Sequence, residues 1–331
     1  MIVMSLILSQ DTSVDSPQNV TFDDAIGAKV FGLLKGTEGR KHVLSVKNNL
    51  VNPIVRVQPT WHKSINPPEY VHSAVIENLI IDGKGHNNTG ILLENVCNCQ
   101  IRNITIRDCE VGIHIRNKWG LWSETNCLKH IRMENVKTGI LFTTAGPYEK
   151  PGVVPGSEED VKVKKEYPGA SMGFTVIDDV DIKLADNSSD VAGIQVGGKR
   201  IITDPDGIHD TENTLISPYS SRIRANVWLG SGGGAGLKML NGRLYYGQAH
   251  LTVHNAHNSA NGIGIDLQNV SALVDNNRPI WQNQFSEFSG NHPNDSVVEE
   301  GFMLVTSGIS DPTKVIRKLT HIKTDVKTKT F

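Results

Sequence analysis

The chain lacks a run of apolar residues long enough to cross a bilayer as a helix. About 18 to 20 are needed, and the opening MIVMSLILSQD holds only about seven, with no basic residue ahead of them. Without a small-residue cleavage site that opening reads as a strand, not a leader, and no signal peptide is recognisable. Excess charge of one sign is missing too. Thirty-three Lys and Arg against 35 Asp and Glu leave a formal net charge of -2, so the long-range field gives no reason to expect nucleic acid or an anionic membrane as partner. Aromatics make up only 6%. GSGGGAG (230 to 236) lacks the Lys-Ser/Thr of a phosphate-binding loop, and no Ser-His-Asp arrangement accompanies it.

Cysteine is scarce: Cys97, Cys99, Cys109 and Cys127 are the only four. They lack the CxxC knuckles of a structural zinc site, and Cys97 and Cys99 fall in an alternating strand pattern. Buried free thiols are favoured over disulfides, and metal is the least favoured reading. His250, His254 and His257 would suggest metal on a helix. On a strand the first two stand about 13 Å apart, too far to share an ion. What is abundant is glycine, 31 residues, together with Asn, Val and Ile. That mixture suits a β-protein with many tight turns.

A pattern of Gly followed by alternating apolar residues recurs six times: at Gly90, Gly112, Gly139, Gly193, Gly236 and Gly264. The steps are 22, 27, 54, 43 and 28 residues, two of them about double the rest. A second strand signal precedes each copy, as in VIENLIID (75 to 82), QIRNITIRD (100 to 108) and VIDDVDIKL (176 to 184). A self-similar period of 22 to 28 residues with short strands, Gly and Asn marks a solenoid whose units bury their apolar faces against neighbours. Leucine-rich repeats share the period, but here the core positions are mostly Ile and Val, without an intervening helix. An Asn-rich corner is expected at Asn78, Asn95, Asn103 and Asn117.

In IENLIIDGKGHNNTGILLENV and IRNITIRDCEVGIHI the chain resembles the right-handed parallel β-helix of the pectate-lyase-like superfamily. That resemblance implies an all-β solenoid over 71–275, and a superfamily that includes polysaccharide lyases, polygalacturonase-like hydrolases, surface proteins and viral tailspikes. Residues 1–70 then form a cap and lead-in strands. FDDAIGAKVFGLL (22 to 34) is read as a short capping helix with Thr21 as N-cap. Residues 276–331 form a closing segment that could make an oligomer contact.

Outward positions of successive coils stack into columns. One is expected to run Ile80, Thr105, Arg132, Asp181; the other Leu92, His114, Leu141, Gln195, Lys238, Asp266. Such columns suit an extended polymer, and His114, Gln195 and Lys238 are carbohydrate-binding candidates. Trp119 and Trp122, in the loop NKWGLWSETN, are candidate sugar-stacking platforms. The loop TDPDGIHDTEN offers Asp204, Asp206, Asp210 and Glu212 as weak metal candidates, but its spacing departs from the EF-hand and calcium is not expected. Asp206 also resembles the acid of the NTDG element in polygalacturonase-like hydrolases. The second carboxylate that hydrolysis needs is not found. A lyase would need a base and a group to neutralise a uronate, for which Arg132 beside Asp181 is the weak candidate.

The expected function is therefore that of a non-enzymatic surface or virion protein, extracellular or displayed. It would bind glycans or mediate assembly as a homo-oligomer, a trimer among the options. The alternative is a polysaccharide lyase or glycoside hydrolase working in a groove along the helix.

Overall fold

In the computed structural model the described residues are 7–8, 12–14, 19–22, 28–30, 32–36, 42–47, 52–59, 70–118, 123–145, 169–198, 215–217, 221–240, 242–243, 248–268, 270–272, 302–318 and 326–330. Their strands form stacked parallel sheets: one of ten strands, one of twelve, and two small sheets of four and two. From Val75 onward the strands of the two large sheets alternate along the chain, so that each coil adds one rung to each sheet. Gln100–Arg107, for instance, joins the twelve-stranded sheet and Val111–Lys118, the next long strand, the ten-stranded one. Strands from the first 70 residues and from beyond residue 276 continue the same two sheets. The architecture is a parallel β-solenoid.

The glycine-led repeat has a steric cause. A Cβ built on Gly90 would lie 2.7 Å from the carbonyl oxygen of Gly112, one on Gly112 2.7 Å from that of Gly139, and one on Gly139 2.5 Å from that of Gly193. The series continues through Gly236 at 2.7 Å and Gly264 at 2.8 Å. Real Cβ atoms do not approach backbone so closely, so each coil is glycine where the rungs touch. The following residues stack in register, Ile91 on Ile113 on Ile140 on Ile194 on Leu237 on Ile265. All are buried. Facing them across the interior are the twelve-stranded sheet's buried ladders, among them Leu79, Ile104, Ile131, Val180, Ala225 and Leu251.

In four successive strands of that sheet an extra residue interrupts the alternation: Asn78, Asn103, His130 and Asp179, with φ of 60°, 54°, 54° and 56°. Each restores the inward direction for the apolar residue after it, as a bulge does. Asn and Asp tolerate this left-handed conformation best. Asn78 and Asn103 thus sit in mid-strand and not at a corner as expected. Asn103 Nδ2 donates to Asn78 Oδ1 at 2.6 Å. The next strand, Arg222–Trp228, drops the extra residue, and the register shifts between Asp178 and Val180 to absorb the change.

The described residues of 22–34 form strands and not the helix expected there. Asn19–Phe22, Ala28–Val30 and Leu33–Gly36 are strands. Ala28, Val30 and Leu34 are buried, and Ala28 pairs with Val55 and Leu34 with Ile76. Here burial at period two overrides acids and a cap suggestive of a helix, and Gly27 and Gly32 weaken any helix in the segment. Among the described residues the helix is a single turn, Pro312–Val315, capped by Asp311, whose side chain accepts from Thr313 N at 2.9 Å. The four cysteines are free thiols, three of them buried. Burial pushes the Cys99 thiol up to about 11, and Cys99 Sγ donates to Cys97 O at 3.7 Å.

Candidate functional site

Each large sheet turns one face to the interior and one outward, and the two outward faces differ. On the twelve-stranded sheet most outward side chains are exposed or half-buried, with Ser45, Glu77 and Asp82 buried at its N-terminal end; this is the open face. Its first column runs in the expected register, Ile80, Thr105, Arg132, Asp181, and continues through Asn226, Thr252 and Val305. Arg132 is exposed and Asp181 half-buried. Asp181 Oδ1 accepts from Asn226 Nδ2 at 2.9 Å.

A second column carries Lys35, Glu77, Arg102, Lys129, Asp178, Arg224 and His250. Each carboxylate is held between two cations. Lys35 Nζ lies 2.9 Å from Glu77 and Arg102 pairs with the same group; Lys129 Nζ lies 3.8 Å and Arg224 Nε 2.8 Å from Asp178. Burial alone would raise the Glu77 pKa, but Lys35 and Arg102 outweigh it and hold the carboxyl below its ordinary value. Beside this column His130 Nδ1 pairs with Asp179, and that hydrogen bond is the main reason why Asp179 is also held low.

The third column is Asp82, Arg107, Glu134, Lys183, Trp228, His254 and Ser307. Arg107 and Lys84 both pair with Asp82, at 2.8 and 2.9 Å. Trp228 and His254 stack with ring centroids 5.0 Å apart and planes at 19°, the separation that adjacent parallel rungs impose. His254 Nδ1 lies 3.2 Å from Ser307 Oγ.

The ten-stranded sheet contrasts in its first coils. Its outward column also keeps the expected register, Leu92, His114, Leu141, Gln195, Lys238, Asp266, but the first three side chains are buried. These residues lie opposite in alternation to the interior ladder, so their outer face is covered. His114 Nε2 lies 2.6 Å from Thr143 Oγ1, away from any surface where a polymer could lie. The next outward column places Glu94 beside Arg116, joined at 2.9 Å, with Lys118 Nζ 4.0 Å from the same carboxylate; all three are buried. Gln195 is half-buried and donates to Gly197 O at 3.0 Å. Lys238 pairs with the exposed Asp190 at 2.6 Å, and Asp266 is buried against Arg317.

Arg132 and Asp181 are thus brought together on the open face, while His114, Gln195 and Lys238 belong to the other sheet. Trp119, Trp122, Asp204, Asp206 and Asp210 lie outside the described residues. Among the described residues no group of His, Cys, Asp and Glu is arranged to hold a metal ion, and no helix is long and apolar enough to cross a membrane. In the sequence His254 stands out only as a metal candidate, and Trp228 and Asn226 do not stand out at all. The signal was present in RIRANVW, where Arg222, Arg224, Asn226 and Trp228 alternate with Ile223, Ala225 and Val227. Comparison with known proteins adds no relative: no family model, no curated protein and no solved structure matches the chain.

Proposed function

We propose that this chain is a non-enzymatic β-helical surface or virion protein that holds an extended glycan along the open face of its twelve-stranded sheet. The observation that carries the reading is the column Arg132, Asp181, Asn226, Thr252 beside the half-buried Trp228. Matching positions recur once per rung, about 4.8 Å apart, so a polymer running along the stack meets polar groups one after another. The Asp181–Asn226 pair offers acceptors and donors to neighbouring hydroxyls, and the indole offers an apolar edge to a sugar ring. The likeness of the Gly-led coils to pectate-lyase-like β-helices, tailspikes among them, agrees with this use of a solenoid flank. Display as a homo-oligomer, a trimer in that setting, belongs to the same proposal.

A glycan array tests it. The full chain should retain glycans, and Trp228→Ala and Asn226→Ala should each lose at least about ten-fold in affinity, the scale of one good aromatic or buried polar contact. Unchanged retention in both variants would place the binding elsewhere. Release of unsaturated products or new reducing ends from the retained polymer would replace the non-enzymatic reading with a catalytic one. Light scattering of a monomer alone would remove the trimer.

A further inference from the structure

One contact between neighbouring coils differs from those before it. Gln100–Arg107 pairs with Val75–Asp82, and Cys127–Val136 with Gln100–Arg107, straight through the extra mid-strand residue, because both partners carry one. Between Val176–Leu184 and Arg222–Trp228 only the first does, Asp179, and the register slips there. An extra residue without a match leaves backbone groups out of the ladder. The smallest member of the interior ladder lies at the same rung. Ala225 follows Leu79, Ile104, Ile131 and Val180 and precedes Leu251, so it contributes the least apolar surface of the series.

Charge is divided between these two coils. From Val176 to Val196 stand Asp178, Asp179, Asp181, Asp186 and Asp190 with Lys183; from Arg222 to Met239 stand Arg222, Arg224 and Lys238 and no carboxylate. All of the aspartates but Asp179 reach across. Arg224 Nε lies 2.8 Å from Asp178, Asn226 Nδ2 2.9 Å from Asp181 Oδ1, Ser231 N 2.8 Å from Asp186 Oδ1 and Lys238 Nζ 2.6 Å from Asp190. The ties run from the open face round the turn at Asp186 to the ten-stranded sheet. We infer that this coil pair is a built-in joint of the solenoid, the place where the stack first opens, held shut by side-chain charge in place of an unbroken ladder and a full core. Each coil of a solenoid is stabilised by its neighbours, so opening starts at the weakest coil-to-coil contact. The ties reach solvent: the side chain of Arg224 is 62% exposed and that of Asp190 87%. Dissolved ions screen such pairs, over about 3 Å at 1 M salt, so ionic strength acts on the joint directly. Opening here needs no ligand on the open face.

Amide hydrogen exchange of the full chain, read by mass spectrometry at one pH in about 0.05 M and about 1 M sodium chloride, tests the joint. Arg222–Trp228 should lose protection about ten-fold in the stronger salt, the scale of two or three exposed pairs, and Gln100–Arg107 less than about two-fold. Arg224→Ala with Lys238→Ala should reproduce the loss in weak salt. Arg102→Ala with Arg107→Ala removes the ties to Glu77 and Asp82 across a matched ladder, and should leave Gln100–Arg107 within about two-fold. Arg224→Lys with Lys238→Arg keeps the charges and should keep the protection. If the first Ala pair does not fold, the salt comparison on the unaltered chain decides alone. Protection at Arg222–Trp228 indifferent to salt, or a loss spread evenly over every strand, would overturn the joint. Equal losses in the two Ala pairs, or a loss in the charge-keeping pair as large as in Arg224→Ala with Lys238→Ala, would overturn it as well.

Discussion

Arg102 and Arg116 sit on consecutive long strands of the chain and both point away from the interior, yet the side chain of Arg102 is 51% exposed and that of Arg116 has no exposed surface. Arg102 pairs with Glu77 on the open face; Arg116 pairs with Glu94 on the covered one. The local rule, period-two alternation, is the same for both. The difference lies in what surrounds the outward face, and it changes what an ion pair is worth. Glu77 is buried but keeps Lys35 when Arg102 is removed. A pair with a half-exposed guanidinium contributes about 0 to 1 kcal/mol, whereas removing one partner of a fully buried pair strands the other and costs about 3 to 5 kcal/mol. One face is thus available for contact with other molecules, and the other holds its charges for the fold.

The largest expected effect comes from breaking the covered pair. Arg116→Ala should lower unfolding free energy by about 3 to 5 kcal/mol in urea titrations, while Arg102→Ala should cost no more than about 1 kcal/mol. Equal losses would erase the distinction between the faces. Next are the glycines where the rungs touch. A Cβ on Gly193 would meet Val227 Cγ2 at 2.4 Å and Gly236 O at 2.7 Å, so Gly193→Ala should destabilise by about 1 to 3 kcal/mol. Gly32 has nothing within 4 Å of a built Cβ, and Gly32→Ala should stay within about 0.5 kcal/mol.

The smallest effect is a titration. The Glu77 pKa is held below its ordinary 4.5 and that of Asp82 below 3.8. In each case burial, acting upward, is outweighed by the paired cations. A carboxylate depressed in the folded state stabilises fully above its unfolded pKa, and that contribution fades as pH falls through the folded one. Stability on the acid side of about pH 4.5 should therefore fall less steeply in Glu77→Gln than in the unaltered chain. The difference should be under about 1 kcal/mol, because Lys35 and Arg102 are well exposed.

The sequence carried the stacking order well, since the glycine at each rung contact repeats as a letter and aligns Ile91 with Ile113 and Ile140 without knowledge of anything distant. Both outward columns followed from that alignment. Coverage of a face did not, because it depends on chain far away in sequence. Leu92 and Leu141, apolar at outward positions, were the only local hint that His114 would be buried. Trp228 carries no loop signal of the kind that marks Trp119 and Trp122, and only the alternation in RIRANVW points its indole outward. The supposed helix at 22–34 failed because Ala28, Val30 and Leu34 serve a strand interior as readily as a helix face, and pairing with Val55 and Ile76 decided between them.

The contrast between the two faces is tested most directly by amine-reactive labelling of the native chain, read residue by residue in a mass spectrometer. Lys129 and Lys183, exposed on the open face, should react at the rate of free surface lysines, and Lys118, buried on the covered face, should react only once the chain unfolds. Labelling of Lys118 in the native state as fast as that of Lys129 would mean that both flanks of the solenoid are open, contradicting the division on which this account rests.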